Sequence, residues 1–117
     1  MKATRIDITT AADGTATAYG QAVTGIVYAV QLVDGDLADG VDITITSENE
    51  GVSIPILVKA DFNTDSIYYP RVLQSLNTDG TALTSHTYPL IYGRTKAVVA
   101  AGGDTKTGAI IIYSLEM

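Results

Sequence analysis

The sequence predicts an all-β antiparallel domain, a β-sandwich or jelly roll of about eight short strands, and three observations lead there. In 41–46, Val41, Ile43 and Ile45 alternate with Asp42, Thr44 and Thr46, the period of two that puts one strand face in a core and the other in water. Turn pairs recur at short spacing, at Asp13-Gly14, Asp39-Gly40, Glu50-Gly51, Asp79-Gly80 and Gly102-Gly103. There Gly takes positive φ and Asp bonds its own backbone. Between the turns the runs are β-branched, and none carries a convincing helical pattern.

Strand-like runs fall at 4–10, 15–20, 24–33, 41–47, 52–58, 67–76, 96–101 and 109–115. In 26–33 both faces read as apolar: Ile26, Tyr28, Val30 and Leu32 on one, Val27, Ala29 and Val33 on the other, interrupted by Gln31. Pro55 cannot donate to a ladder, so 52–58 is expected at a sheet edge or at a bulge. The segment 59–95 holds Pro70, Pro89 and four of the seven tyrosines, and reads as one irregular strand flanked by long loops. In the last run Ile110 and Ile112 face one way while Ile111, Tyr113 and Leu115 face the other. Two strands therefore ask for cover on both faces, either from another subunit or from a loop of the same chain.

The chain reads as a single domain, 1–117, with the looser segment at 59–95. A domain of 117 residues buries roughly two thirds of its unfolded surface without covalent staples. The absence of Cys excludes disulfides, thiolate catalysis and Cys-ligated metal. No run approaches the roughly 18 apolar residues of a membrane span, and the N-terminal residues enter an alternating strand rather than a signal-peptide core, so a soluble, non-exported chain is expected, without a membrane partner. The net charge is −6 and the basic residues Lys2, Arg5, Lys59, Arg71, Arg94, Lys96 and Lys106 are scattered singly, which argues against nucleic acid.

Each constellation that suggests chemistry has a plainer reading. Asp34, Asp36, Asp39 and Asp42 are oxygen ligands at close spacing, but Ala38, Asp39 and Ile45 occupy the positions where a calcium loop needs its third acid, its glycine and its final glutamate. An acidic solvated hairpin loop is the expectation, with no metal and no cofactor. His86, beside Ser85, is the one histidine through which Ser-His-acid catalysis would route, and the sequence supplies no partners for it. The run 102–108, GGDTKTG, lacks both the order of a phosphate loop and a following helix, and fits a hairpin connection. No catalytic residue is assigned. Tyr68, Tyr69, Tyr88 and Tyr92 are the candidate contact residues for a partner, and Ile111, Tyr113 and Leu115 the candidates for a subunit seam.

The segments 27–51 (VYAVQLVDGDLADGVDITITSENEG) and 96–115 (KAVVAAGGDTKTGAIIIYSL) resemble small β proteins encoded among virion-structure genes of tailed bacteriophages. Those relatives similarly join a hydrophobic strand to an acidic "ADGVD" hairpin with a threonine-rich strand, and end in a "GG…K.G" hairpin. The resemblance covers the opening three strands and the terminal hairpin, and nothing in 59–95. It implies a non-enzymatic virion component made in the host bacterial cytoplasm. The expected role is a capsid decoration, or cement, protein bound to the major capsid protein or another virion protein. A homo-oligomer is expected, with a trimer as the first state to test. A tail, neck or head-fibre component, and a carbohydrate-binding module using the same tyrosines, are the alternatives.

Overall fold

A computed structural model describes residues 1–75 and 82–116. Nine strands follow one another: β1 (Lys2–Thr9), β2 (Ala16–Val33), β3 (Val41–Asn49), β4 (Val52–Phe62), β5 (Ser66–Tyr68), β6 (Val72–Ser75), β7 (Ala82–Thr87), β8 (Leu90–Ala100) and β9 (Thr107–Glu116). Seven form one sheet in the order β1-β9-β2-β8-β3-β4, with β5 on β2, while β6 and β7 make a separate two-stranded ribbon. All pairings are antiparallel. The all-β antiparallel class is thus as read, but seven of the described strands share a single hydrogen-bonded sheet.

The 18-residue β2 organises that sheet. Its first part, from Ala16 to Ile26, pairs with β8, and its last part, from Gly25 to Val33, pairs with β9, so Gly25 and Ile26 are flanked on both sides. Beyond them β5 takes the place of β8, with Val30 opposite Tyr68 and Leu32 opposite Ser66. The sheet also curls. In a flat sheet β1 and β2, separated by β9, would lie about 10 Å apart, yet a Cβ built on Gly20 would stand 2.8 Å from Ile6 Cγ1 and collide with Thr95 Oγ1. Glycine at 20 therefore lets β1 pack over the first half of β2.

The concave face is the core. Ile6 and Ile8 of β1, Val23, Val27, Val30 and Leu32 of β2, Ile43 and Ile45 of β3, Phe62 at the end of β4, Ile91 and Val99 of β8, and Ile110 and Ile112 of β9 are all at most 2 % exposed. Each such side chain contributes about 1.5–3 kcal/mol by leaving water, so the inward positions of alternating strands are what hold the curl closed. Truncating the central Ile110 to Ala is expected to cost about 2–5 kcal/mol.

Several boundaries differ from the sequence reading. The runs 15–20 and 24–33 are one strand, because a register shift between Tyr19 and Ala22 absorbs the residues at Gly20 and keeps the ladder going. The run 67–76 is broken near Pro70 into β5 and β6, and β8 begins at Leu90 rather than at 96. Within 59–95 the described residues also form β7, which no period in the sequence announced. The turn at Asp79-Gly80 lies outside the described residues. Pro55 satisfies both expectations held for it: β4 is an edge strand, and Pro55 faces Thr46 where the β3–β4 register shifts. An edge interrupted by proline is a poor template for further strand addition.

The two faces assigned to 26–33 need correction. Val27 pairs with Ser114 but Ala29 pairs with Tyr113, leaving Tyr28 as an inserted residue. That bulge reverses the phase of the strand. Val23, Val27, Val30 and Leu32 point inward, whereas Ile26 and Tyr28 join Gln31 and Val33 on the convex side.

Candidate functional site

The convex face gathers the exposed apolar residues. Leu115, Ile26 and Leu90 are register neighbours across β9, β2 and β8, and they alternate along their strands with buried Ser114, Val27 and Ile91, so all three face outward. Leu90 is 54 % exposed, Leu115 45 %, and Ile26 is half-buried between them. Two residues along, Tyr92 on β8 stands opposite Thr24 and Tyr113 on β9 stands opposite Ala29. An apolar row thus crosses the sheet where β2 changes partners.

Beside this row lies an aromatic cluster built around Tyr28. Its ring meets Tyr69 edge to face at 6.0 Å between centroids and stacks with Tyr88 at 5.9 Å. The guanidinium of Arg71 lies 4.0 Å over the Tyr88 ring, and its Nη1 donates to the carbonyls of Pro70 and of Tyr28 at 2.6 and 3.4 Å. An exposed cation–π contact is worth about 0.5–1 kcal/mol, so its main effect is to fix positions. Residues 69–71 lead into β6 and residues 88–89 leave β7, so the cluster fastens both roots of the ribbon to the β2 bulge. A second stack stands at the other side of the row, where Arg94 covers Tyr19 at 3.8 Å. Behind it Lys96 pairs with Glu48 at 3.2 Å, and the Ser53 hydroxyl donates to the same carboxylate at 2.7 Å. Those two donors hold Glu48 below the usual carboxylate range.

Of the residues singled out from sequence, Tyr69, Tyr88, Tyr92 and Leu115 are exposed on this face, with half-buried Ile111 and Tyr113 beside them. Tyr68 is the exception. It pairs with Val30 and packs against the core, so it does not share the surface of the other tyrosines. The two candidate sets, one for a partner and one for a seam, are brought into a single surface by Ile26 and Tyr28. Sequence reasoning missed Ile26, Tyr28, Leu90 and Arg71 as its members. The signal that could have found them was Tyr28 itself, an aromatic residue in a strand whose alternation breaks there.

The remaining candidates are occupied locally. Asp36 Oδ1 accepts the Thr107 N–H at 2.5 Å and the Thr107 hydroxyl at 3.2 Å, which lowers its pKa. Asp65 accepts the Asp34 N–H at 2.8 Å, and Asp42 the Asp61 N–H at 3.1 Å. Burial raises the pKa of Asp34, with Asp39, Asp65 and Asp36 adding repulsion. Among the described residues no three of His, Cys, Asp or Glu converge as a metal site requires. His86 is exposed in the ribbon, opposite Leu73, and the side chain of Ser85 lies outside the described residues. The glycine run is threaded into two other loops: Gly102 donates to the Gly14 carbonyl at 2.9 Å and accepts from Ala38 at 3.0 Å, and the Thr10 hydroxyl donates to the Gly103 carbonyl at 2.6 Å. It ties hairpins together and leaves no cradle for phosphate.

Comparison with protein-family models, with curated proteins and with solved structures gives no match.

Proposed function

We propose that the chain is a non-enzymatic structural protein of a tailed-phage virion, a capsid decoration protein that binds the assembled head and stabilises it. The observation that carries a binding role is the convex face. Taking about 200 Å² for a fully exposed large side chain, the exposed fractions of Tyr28, Ile67, Tyr69, Tyr88, Leu90, Tyr92 and Leu115 leave on the order of 600 Å² of apolar-rich surface. That lies at the top of the range for the largest patch on a monomer, where such patches mark contact sites. The resemblance of 27–51 and 96–115 supports the virion setting. Those segments supply much of the adjacent strands β9, β2, β8 and β3, so the likeness concerns the centre of the sheet.

The mechanism is multivalent: several modest contacts on a fixed lattice become collectively strong, because each one raises the effective concentration for the next. Binding that prefers the assembled lattice over free coat protein must appear as added particle stability. A carbohydrate platform is less well supported, since it calls for free ring faces, and Tyr28 and Tyr88 are stacked on one another and beneath Arg71.

The test compares phage heads that lack the protein with the same heads after purified protein is added back. Heads without it should release DNA at lower temperature, and addition should restore them. Co-purification with detached tails, or unchanged head stability at saturation, would transfer the protein to the tail, neck or fibre.

A further inference from the structure

We propose that a second copy of this chain covers the row Leu115–Ile26–Leu90 and the tyrosines beside it, convex face to convex face. Three observations favour that occupant. First, the exposed apolar surface, on the order of 600 Å², approaches the roughly 800 Å² per partner of a stable protein interface and far exceeds what a small ligand would cover. Second, the row and the tyrosines beside it carry no carboxylate that lacks a cation partner. Asp34, Asp36, Asp39 and Asp65 lie in the β2–β3 and β4–β5 connections, Asp42 and Asp61 stand at the adjoining ends of β3 and β4, and Glu116 is bound to Lys2 at 2.9 Å, Glu48 to Lys96 and Asp7 to Arg5. On a chain of net charge −6 this is the stretch where an equally negative copy approaches with least repulsion. Third, Arg71 and Arg94 on this face each lie over a tyrosine ring, and Arg and Tyr are both residue types enriched at protein interfaces.

A face meeting itself requires a two-fold axis, so the seam closes as a dimer and not as the trimer expected from sequence. The seam rests on the reading that the convex face is a protein contact; a second copy seated there takes the surface a capsid contact would otherwise use, so a dimer would meet the head through its other surfaces.

Sedimentation velocity over micromolar concentrations should give twice the 12.3 kDa of one chain. Leu90→Asp and Tyr92→Asp, at positions already exposed, should weaken association about tenfold or more, while circular dichroism and thermal unfolding show an intact fold. Val58→Asp, at a residue 70 % exposed on the same outward face but on the edge strand β4, beyond β8 and β3 from Ile26 of the row, should leave association unchanged. Added salt should tighten the dimer, because it screens the repulsion between copies. Should Leu90→Asp unfold the chain, Leu90→Thr takes its place. A monomer throughout, a trimer, a dimer indifferent to both convex-face variants, sensitivity to Val58→Asp, or loosening by salt would each overturn the seam. A monomer that still protects phage heads would remove the seam alone, and a stable dimer that leaves heads unprotected would remove the virion reading alone.

Discussion

The Tyr113 hydroxyl donates a 2.9 Å hydrogen bond to Gln31 Oε1, diagonally across the β9–β2 ladder. The bond pins the tyrosine ring along the convex surface and gives the one polar side chain of that part of β2 a partner. Tyr113→Phe should therefore lower stability by about 1 kcal/mol, read as a shifted urea midpoint with unchanged slope. Adding Gln31→Leu to that variant should recover part of the loss, since replacing both partners leaves no polar group unpaired. No loss in the single variant would show the hydrogen bond to be energetically idle.

Two glycines should respond to alanine in opposite degrees. At Gly25 an added Cβ would run into the Leu115 carbonyl, which is backbone and cannot swing aside. Gly25→Ala should cost about 3 kcal/mol or more and separate β2 from β9. At Gly51, φ is +82° with open space around it, so Gly51→Ala should cost only about 1 kcal/mol of backbone strain. Similar losses at both sites would mean that β2 and β9 are not held at the described distance.

Acid should destabilise the fold through Asp36 and Glu48. Both carboxyls have folded pKa values below their ordinary ones, because hydrogen bonds favour the charged form. Their contribution is present above about pH 4 and is lost as pH falls through the folded values. Asp36→Asn should flatten that acid limb in urea titrations at stepped pH. Asp34 has the opposite sign: its pKa is raised, so the penalty on the fold grows as pH rises from the ordinary carboxylate value and is complete above the raised one. Asp34→Asn should then stabilise at pH 7 and have little effect in acid, and a destabilised variant at neutral pH would contradict the assignment.

Thermal unfolding should not change with EDTA or added calcium. Asp36, Asp42 and Asp65 already accept backbone N–H groups, and using them as ligands would strip those loops of their caps. A calcium-dependent rise of several degrees, abolished by Asp36→Ala, would establish a metal site.

What was legible in the sequence was what repeats locally. The alternation in β3 and in β9 is present as read, because both strands keep one phase and their inward residues form the core. What stayed hidden depends on partners distant in sequence. The merging of 15–20 with 24–33 follows from pairing to β8, some seventy residues away, and the phase reversal at Tyr28 follows from pairing to β9. Composition identified Tyr69, Tyr88 and Tyr92 as surface candidates, but it could not separate Tyr68, whose inward direction is set by its place opposite Val30. Arg71 looked like one scattered cation, and its role appears only when Tyr28 and Tyr88 are brought together around it.

The pairing of β1 with β9 sets Lys2 opposite Ser114 and Thr9 opposite Thr107. Among the described residues β1 thus has as its ladder partner a strand about a hundred residues further along the chain, and β2 also lacks one flank until β9 arrives. Local contacts cannot close this sheet, so folding belongs to the slow, non-local regime and waits for the synthesis of β9. Until then the inward isoleucines of β1 and the open side of β2 are exposed, and a chain stalled before residue 107 is the form most prone to aggregate.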